Sequence, residues 1–421
     1  MIVGVHAIKN LIKKLVGRRV VSGYHRFLSW LAAVVYGNPS EKLVVIGVTG
    51  TNGKSTTVNL IAKILEEAGP PAGGKVVATS TVNFKIGSDE KLNDLKMTMP
   101  GRFFLQSILA RGVKVGCTHA VLEVSSEGIE HHRHRGVHFD VCVFTNLTPE
   151  HLEAHGGFEN YKRAKLKLFA QAKKAIVANV DDPYYAEFTN FRVPQVISFG
   201  QNSNADIRGQ RLTVAEQGIS FEVGNQSFNL HLKGRFDFYN ALAAIATAKA
   251  LGIDLAVCRQ ALEKVQNIPG RMEIIDGPNF KVLVDYAPEP ESLRQMYASI
   301  VQWPKNRIIH ILGSTGGGRD VSRRKILGQI ADQFADVVIV TNEDPYDDDP
   351  QQIIDDVAAG SLKAIKILDR REAIAKALSL ARAGDLVIVT GKGAEQKMAV
   401  RGGYIQWDDR KLIREELAKI S

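Results

Sequence analysis

The stretch Leu43-Val44-Val45-Ile46-Gly47-Val48-Thr49-Gly50-Thr51-Asn52-Gly53-Lys54-Ser55 runs from an apolar, β-branched segment into a loop with glycines at 47, 50 and 53 that ends in Lys-Ser. The apolar part reads as a buried strand, and Ser55 to Ala68 as the helix that follows it. Strand, glycine-rich turn and helix start together form a phosphate cradle. The glycines let the backbone curl around an anion, the helix N-terminus offers N–H groups, Lys54 can bridge phosphate oxygens and Ser55 can hold Mg²⁺. The spacing departs from G-x-x-x-x-G-K-[ST], because Val48 stands where the first glycine would fall.

The same alternation of strand and helix continues outward from this loop. HAVLEVSS at 119–126 and VCVFTNLT at 141–148 read as further buried strands. Glu123 ends the apolar run of the first, where open parallel sheets place ligand-binding groups, and is positioned to bind Mg²⁺. His151 follows the second, and Lys165 lies on the helix within YKRAKLKLF at 161–169. A polar, strand-like stretch around 206–232 precedes an alanine-rich helix at 240–250, which suggests an antiparallel flank. After Pro269-Gly270 a second series begins, with KVLVDYA, RIIHILGS, DVVIVTNED and DLVIVTGKG each running into glycine or acid. The expected fold class is α/β. Residues 1–42 form a short basic helical segment, 43–268 a central parallel-sheet ATPase domain built on the phosphate loop, and 269–421 a C-terminal Rossmann-like α/β domain.

With 421 residues, 45% apolar and 24% charged, the chain can bury large cores and is neither disordered nor fibrous. No stretch reaches the ~18–20 apolar residues of a membrane span, and no secretion signal is visible, so the expected location is the cytoplasm. Three dispersed cysteines, Cys117, Cys142 and Cys258, argue against a disulfide scaffold and a structural zinc site and are expected in the core. The net charge of +9 points to an anionic partner. With no zinc-finger or ribonucleoprotein pattern, nucleic acid is not expected. Residues 1–42 hold seven basic side chains against one acid. Ile8, Leu11, Ile12 and Leu15 follow a helical stripe, and Phe27 to Tyr36 reads as a second helix. These helices either pack on the body or rest on an anionic membrane at the inner face.

In several blocks and in order, the sequence resembles the Mur ligase family: GVTGTNGKS, EVSS, FTNLTPEHLEAHG, YKRAKLKLF, GRFDFYNALAAI, PGRMEII, VDYA, GSTGGGRD, DRREAI and GKGAE. Within it the likeness is greatest to the enzymes that add the third residue to UDP-N-acetylmuramoyl-dipeptide. The resemblance implies ATP-dependent amide synthesis through an acyl phosphate, with ATP and Mg²⁺ as cofactors and a muramoyl peptide and an amino acid as substrates. It implies nucleotide contacts from Gly50, Thr51, Asn52, Gly53, Lys54, Ser55, Thr56, Asn240, Arg271 and Asp285. By the same resemblance, Ser55, Glu123, His151 and a carbamylated Lys165 bind the metal, and Lys54, Lys165, His151 and Glu123 form the catalytic set. Thr98, Ser125, Arg133, Arg319, Asp344, Tyr346, Gly391 and Glu395 are expected to face the substrates, in a monomer. Two other readings stay open: a folylpolyglutamate or poly-γ-glutamate ligase, and a non-catalytic ATP-binding scaffold. Lys54, Glu123, His151 and Lys165 argue against the scaffold.

Several positions depart from the family's pattern. Glu127, Pro288 and Ala394 replace histidines, and the T-T-P block reads Thr98-Met99-Pro100. Where diaminopimelate-adding enzymes carry D-N-P-R, this chain has Glu343-Asp344-Pro345-Tyr346, without the arginine that grips a distal carboxylate. With Asp347, Asp348 and Asp349 beside it, this segment is expected to favour an amine with a cationic side chain, such as lysine or ornithine. Only about 46 residues precede Gly47, too few for the family's UDP-sugar-binding domain of about a hundred residues. The acceptor is therefore either bound by UDP contacts elsewhere or carried on lipid.

Overall fold

The computed structural model describes residues 17–150 and 155–420. Its eleven-stranded sheet contains β1 (Val44–Thr49), β2 (Val76–Thr79), β3 (Asn83–Ile86), β4 (Asp89–Leu92), β5 (His119–Glu123) and β6 (Val141–Phe144). It continues with β7 (Ala175–Asn179), β8 (Gln195–Gly200), β9 (Ile207–Ala215), β10 (Gly218–Val223) and β11 (Gln226–Leu230). The strand order is β11-β10-β9-β8-β7-β6-β1-β5-β2-β3-β4. Parallel pairing runs from β2 to β9, and the two ends are antiparallel hairpins. β1 sits between β5 and β6, so the loops leaving the carboxyl ends of these three strands gather at one place.

The parallel register follows from burial on both faces. Val45, Ile46 and Val48 of β1 are all fully buried, which a one-sided sheet would not allow. Ile46 and Val48 pack into one core and Val45 into the core on the opposite face. The first core also holds helices α2 (Lys54–Ala68) and α4 (Arg235–Ala250), numbered after α1 (Gly17–Val35) and before and after α3 (Phe158–Phe169). Ala241, Ala243, Ala244 and Ala246 are fully buried, and their short side chains let α4 lie close against its neighbours.

Residues 264–272 lead into a second sheet, made of β12 (Glu273–Asp276), β13 (Lys281–Asp285), β14 (Ile308–Leu312), β15 (Val337–Thr341), β16 (Ala364–Ile367) and β17 (Leu386–Thr390). Its order is β12-β13-β17-β14-β15-β16, parallel except for the edge strand β12. Cys117, Cys142 and Cys258 are buried and unpaired.

The N-terminal region differs from its expected form. The helix expected from Phe27 begins at Gly17 and runs unbroken to Val35, because Ser29, Ala32 and Ala33 face the body and nothing interrupts the helix before Gly37, whose φ is +71°. The helix expected around Ile8 to Leu15 lies outside the described residues.

Candidate active site between the two sheets

A cavity of about 520 Å³ opens between the carboxyl ends of the two sheets. On the first sheet, the loop after β1 is fixed by tight contacts. A Cβ at Gly50 would lie 1.9 Å from Thr145 Oγ1, and one at Gly53, where φ is +83°, 2.1 Å from Asn240 Oδ1. Any side chain at either position would collide with these neighbours. Thr51 N donates to Asn146 O at 2.8 Å, and Asn52 N to Asn146 Oδ1 at 2.9 Å. Lys54 Nζ folds back to donate to Thr51 O at 2.7 Å. Burial lowers the pKa of Lys54, and the charges of Glu123 and Glu150 only partly oppose this.

Glu123 ends β5 and gathers three donors. Ser55 Oγ donates to its Oε2 at 2.7 Å, Thr81 N to the same oxygen at 2.8 Å, and Thr81 Oγ1 to Oε1 at 3.1 Å. Lys165, on α3, is buried and donates to Gly50 O at 2.7 Å, with its Nζ 4.5 Å from the Tyr161 ring centre. Among the described residues no carboxylate hydrogen-bonds to it. Burial, followed by the neighbouring Lys54 charge, holds it well below the usual lysine range.

The second sheet supplies the opposite wall. Asp285, at the end of β13, accepts from Met272 N at 2.8 Å and Ala287 N at 3.1 Å, and burial raises its pKa. The Arg271 guanidinium lies over the Tyr286 ring at 4.5 Å. Arg319, Tyr346, Asp344 and Glu395 also line the cavity. Tyr346 adopts φ +53°, and burial pushes its phenol up to about 12. Lys96, on the loop after β4, crosses the cavity to pair with Asp344 and, at 3.1 Å, with Glu395.

Most of the expected site residues thus share one cavity, with some differences in role. Asn240 is held by Asp237, to which its Nδ2 donates at 3.1 Å. Ser125 Oγ caps helix Ser126–Glu130 by accepting from Gly128 N at 3.1 Å, the Thr98 and Thr81 hydroxyl oxygens lie 3.0 Å apart, and Arg133 Nη1 donates to Met99 O at 2.7 Å. Gly391, expected to face a substrate, does not line the cavity. It fits against Glu343, whose Oε2 would lie 2.1 Å from a Cβ there. Gly50 shapes the loop without lining the cavity wall. The acids beyond Tyr346 also serve the fold. Asp349 caps helix Pro350–Ala358, Asp348 accepts from Gly317 N at 3.1 Å, and Asp347 O accepts from Arg401. None of the three lines the cavity, so they do not supply the acidic field expected of them. His151 lies outside the described residues.

Sequence reading passed over Lys96, Thr81, Glu150 and Glu289. Glu150 stands inside the TPEHLEAHG block beside His151, and burial raises its pKa. Burial also raises Glu289, to about 7, despite the nearby charge of Arg323. Neither Lys96 nor Thr81 carries a local signal, since each gains its partner only when distant loops meet.

Residues 48–248 match the Mur ligase middle domain, and residues 270–393 match the Mur ligase, glutamate ligase domain. A UDP-N-acetylmuramoyl-L-alanyl-D-glutamate–2,6-diaminopimelate ligase from Halalkalibacterium halodurans is 38% identical over 404 residues, covering 93% of this chain and 82% of the relative. The chain belongs to the Mur ligase family. As a family member it is an enzyme, an ATP-dependent, ADP-forming ligase. A solved UDP-N-acetylmuramoyl-L-alanyl-D-glutamate–2,6-diaminopimelate ligase superposes with a TM-score of 0.62 at 30% identity, covering 90% of this chain and 79% of that one. Folylpolyglutamate synthase from Mycobacterium tuberculosis shares the fold with a TM-score of 0.68, at 16% identity, over 86% of this chain and 91% of its own. At that identity the second likeness shows the shared fold alone.

Proposed function

We propose that this Mur ligase adds an amino acid to the free carboxylate of a muramoyl-peptide acceptor, in the cytoplasm, during synthesis of peptidoglycan precursors. The observation that carries this reading is the meeting of Lys54, Ser55, Glu123 and Lys165 with Arg271, Arg319, Asp344 and Glu395 on one cavity. The relatives' names specify UDP-N-acetylmuramoyl-L-alanyl-D-glutamate as acceptor. Here the carrier is UDP or, as the basic N-terminal segment would suit, a lipid.

The residues present fit ATP and Mg²⁺. The glycine loop leaves backbone where side chains would collide, and the Ser55 hydroxyl and Glu123 carboxylate form a hard oxygen pair suited to Mg²⁺. When bound, ATP supplies the phosphoryl group that activates the acceptor carboxylate, and Mg²⁺ offsets the gathered negative charge. Lys54 holds a cation against the phosphates, with Thr51, Asn52, Gly53 and Thr56 lining the cradle and Asn240, Arg271 and Asp285 closing it. Glu123 and Ser55, with His151 by the family resemblance, would hold the metal. Lys165, whose burial favours the neutral amine, would take up CO₂ as a carbamate, losing a proton and gaining an anionic oxygen able to face the metal. Thr98, Ser125 and Arg133 face the acceptor, while Arg319, Asp344, Tyr346 and Glu395 face the amine. The surrounding walls keep water from the acyl phosphate.

The test is ADP release with UDP-linked acceptor, lipid-linked acceptor or folyl-glutamate, each with and without an amino acid. Release that needs a muramoyl peptide and an amine is expected. Release with folyl-glutamate alone would contradict the proposal.

A further inference from the structure

We infer that the outward face of α1 is a docking site for an anionic phospholipid surface. This builds on the membrane-side reading of the N-terminal segment and goes beyond the ligase chemistry proposed above.

α1 carries two distinct faces. The inward face is tied to the body: Ser29 Oγ donates to His132 O at 2.7 Å, Ser22 Oγ and His132 Nε2 lie 2.7 Å apart, and Arg102 Nη2 meets His25 Nδ1 at 3.0 Å. The outward face carries Val20, Tyr24, Phe27 and Val34 at helical spacing, flanked by Trp30 and Val35, and all six are between 46% and 62% exposed. Scattered surface apolar residues are ordinary, but six large ones on one helix face mark an interaction surface.

Charge identifies the occupant. The first 42 residues hold seven basic side chains and one acid. Lys9, Lys13 and Lys14 precede α1, and Arg18, Arg19 and Arg26 fall within its span. An apolar face with Tyr24 and Trp30 among its side chains, in a segment whose sequence is strongly basic, matches the headgroup boundary of an anionic bilayer. Among the described residues no helix is long and apolar enough to cross a membrane, so α1 lies on the surface.

The helix that carries the docking face is joined to the cavity through its inward side. His132, held by two serines of α1, is followed by Arg133, which lines the cavity. A docked α1 therefore sets the acceptor side of the cavity next to the lipid surface.

The test uses the full chain with phosphatidylglycerol vesicles and with phosphatidylcholine vesicles. Cosedimentation with the anionic vesicles, weakened by salt, is expected. The double variant Phe27→Glu, Val34→Glu should bind at least about tenfold more weakly. Both positions lie on the exposed face, outside the cavity, so ADP release with soluble substrates should stay the same. That unchanged activity also shows that the variant is folded. Equal binding by wild type and variant, or no binding by the wild type, would overturn the proposal. So would a dimer that the variant converts to a monomer without vesicle binding, which would assign the face to a second copy. Vesicle binding by a protein that releases no ADP would support the docking face and contradict the ligase reading separately.

Discussion

Lys96 and Asp344 form an ion pair across the cavity, joining the loop after β4 of one sheet to the carboxyl end of β15 of the other. Asp344 also accepts two hydrogen bonds from Lys392 Nζ at 2.9 Å each, and Lys392 reaches Glu395 at 2.6 Å. Two ammonium groups thus meet two carboxylates. Burial works against the Lys96 charge, but Glu395 and Asp344 outweigh it and hold the ammonium above the ordinary lysine range.

Lys96→Met should leave Asp344 paired with Lys392, so the second sheet stays folded while the two sheets lose a tie. Small-angle scattering should show a larger radius of gyration, and turnover should fall by about tenfold or more, since residues of both sheets line the one cavity. An unchanged radius and rate would mean that the pair is incidental.

Tyr346 lines the cavity where the amine is proposed to bind, and is expected to influence which amine is used. If Lys96 withdraws, the cluster is left one positive charge short, which the side-chain ammonium of lysine or ornithine can supply. A distal carboxylate would meet Asp344 and Glu395, and the phenol cannot bind it as an arginine would. Wild type should therefore use lysine in preference to diaminopimelate, and Tyr346→Arg should shift the kcat/KM ratio toward diaminopimelate by about tenfold or more. A wild-type preference for diaminopimelate would refute this.

The sequence made much of this arrangement legible, with clear limits. Val45, Ile46 and Val48 announced a strand buried on both faces, and the glycines before Lys54-Ser55 announced the cradle, because both signals are local. β2 to β4 were not legible, since Val76–Thr79, Asn83–Ile86 and Asp89–Leu92 are too short to show a period, and β2 takes its place from β5, β3 from β2 and β4 from β3. Lys96 was hidden for the same reason, as its partners lie some 250 and 300 positions along the chain. The acids at 347–349 looked like a binding field because charge is visible in sequence, whereas their roles as a helix cap and as turn acceptors are visible only in the fold.

The carbamate proposed for Lys165 makes activity depend on dissolved CO₂. Removing dissolved CO₂ should slow the wild type, with bicarbonate restoring it. Lys165→Ala should lose about 10² or more in kcat and recover partly with small carboxylates, but not with bicarbonate. A bare amine by ¹³C labelling in fully active enzyme would contradict this.

Asp237 should make stability depend on pH. It accepts from Gly234 N at 3.0 Å at the start of α4, and burial raises its pKa to about 7. Its folded pKa is raised, so between about 4 and 7 the native state binds the extra proton. Stability then falls as pH rises through that window, by about 1.4 kcal/mol per pH unit for this group. Denaturant titrations should show a shallower decline over that range in Asp237→Asn. Equal pH slopes in the two proteins would mean that Asp237 is ionised at low pH.

The most direct measurement is product mass alongside ADP, using wild type and Lys54→Ala with UDP-N-acetylmuramoyl-dipeptide or its lipid-linked form, lysine, ATP and Mg²⁺. Wild type should yield one ADP per product, with the product weighing the acceptor plus the amino acid less one water. Lys54→Ala, still folded, should be slower by about 10² or more. ADP release without an amide product, or equal rates from the two proteins, would contradict a Mur ligase reaction centred on this phosphate loop.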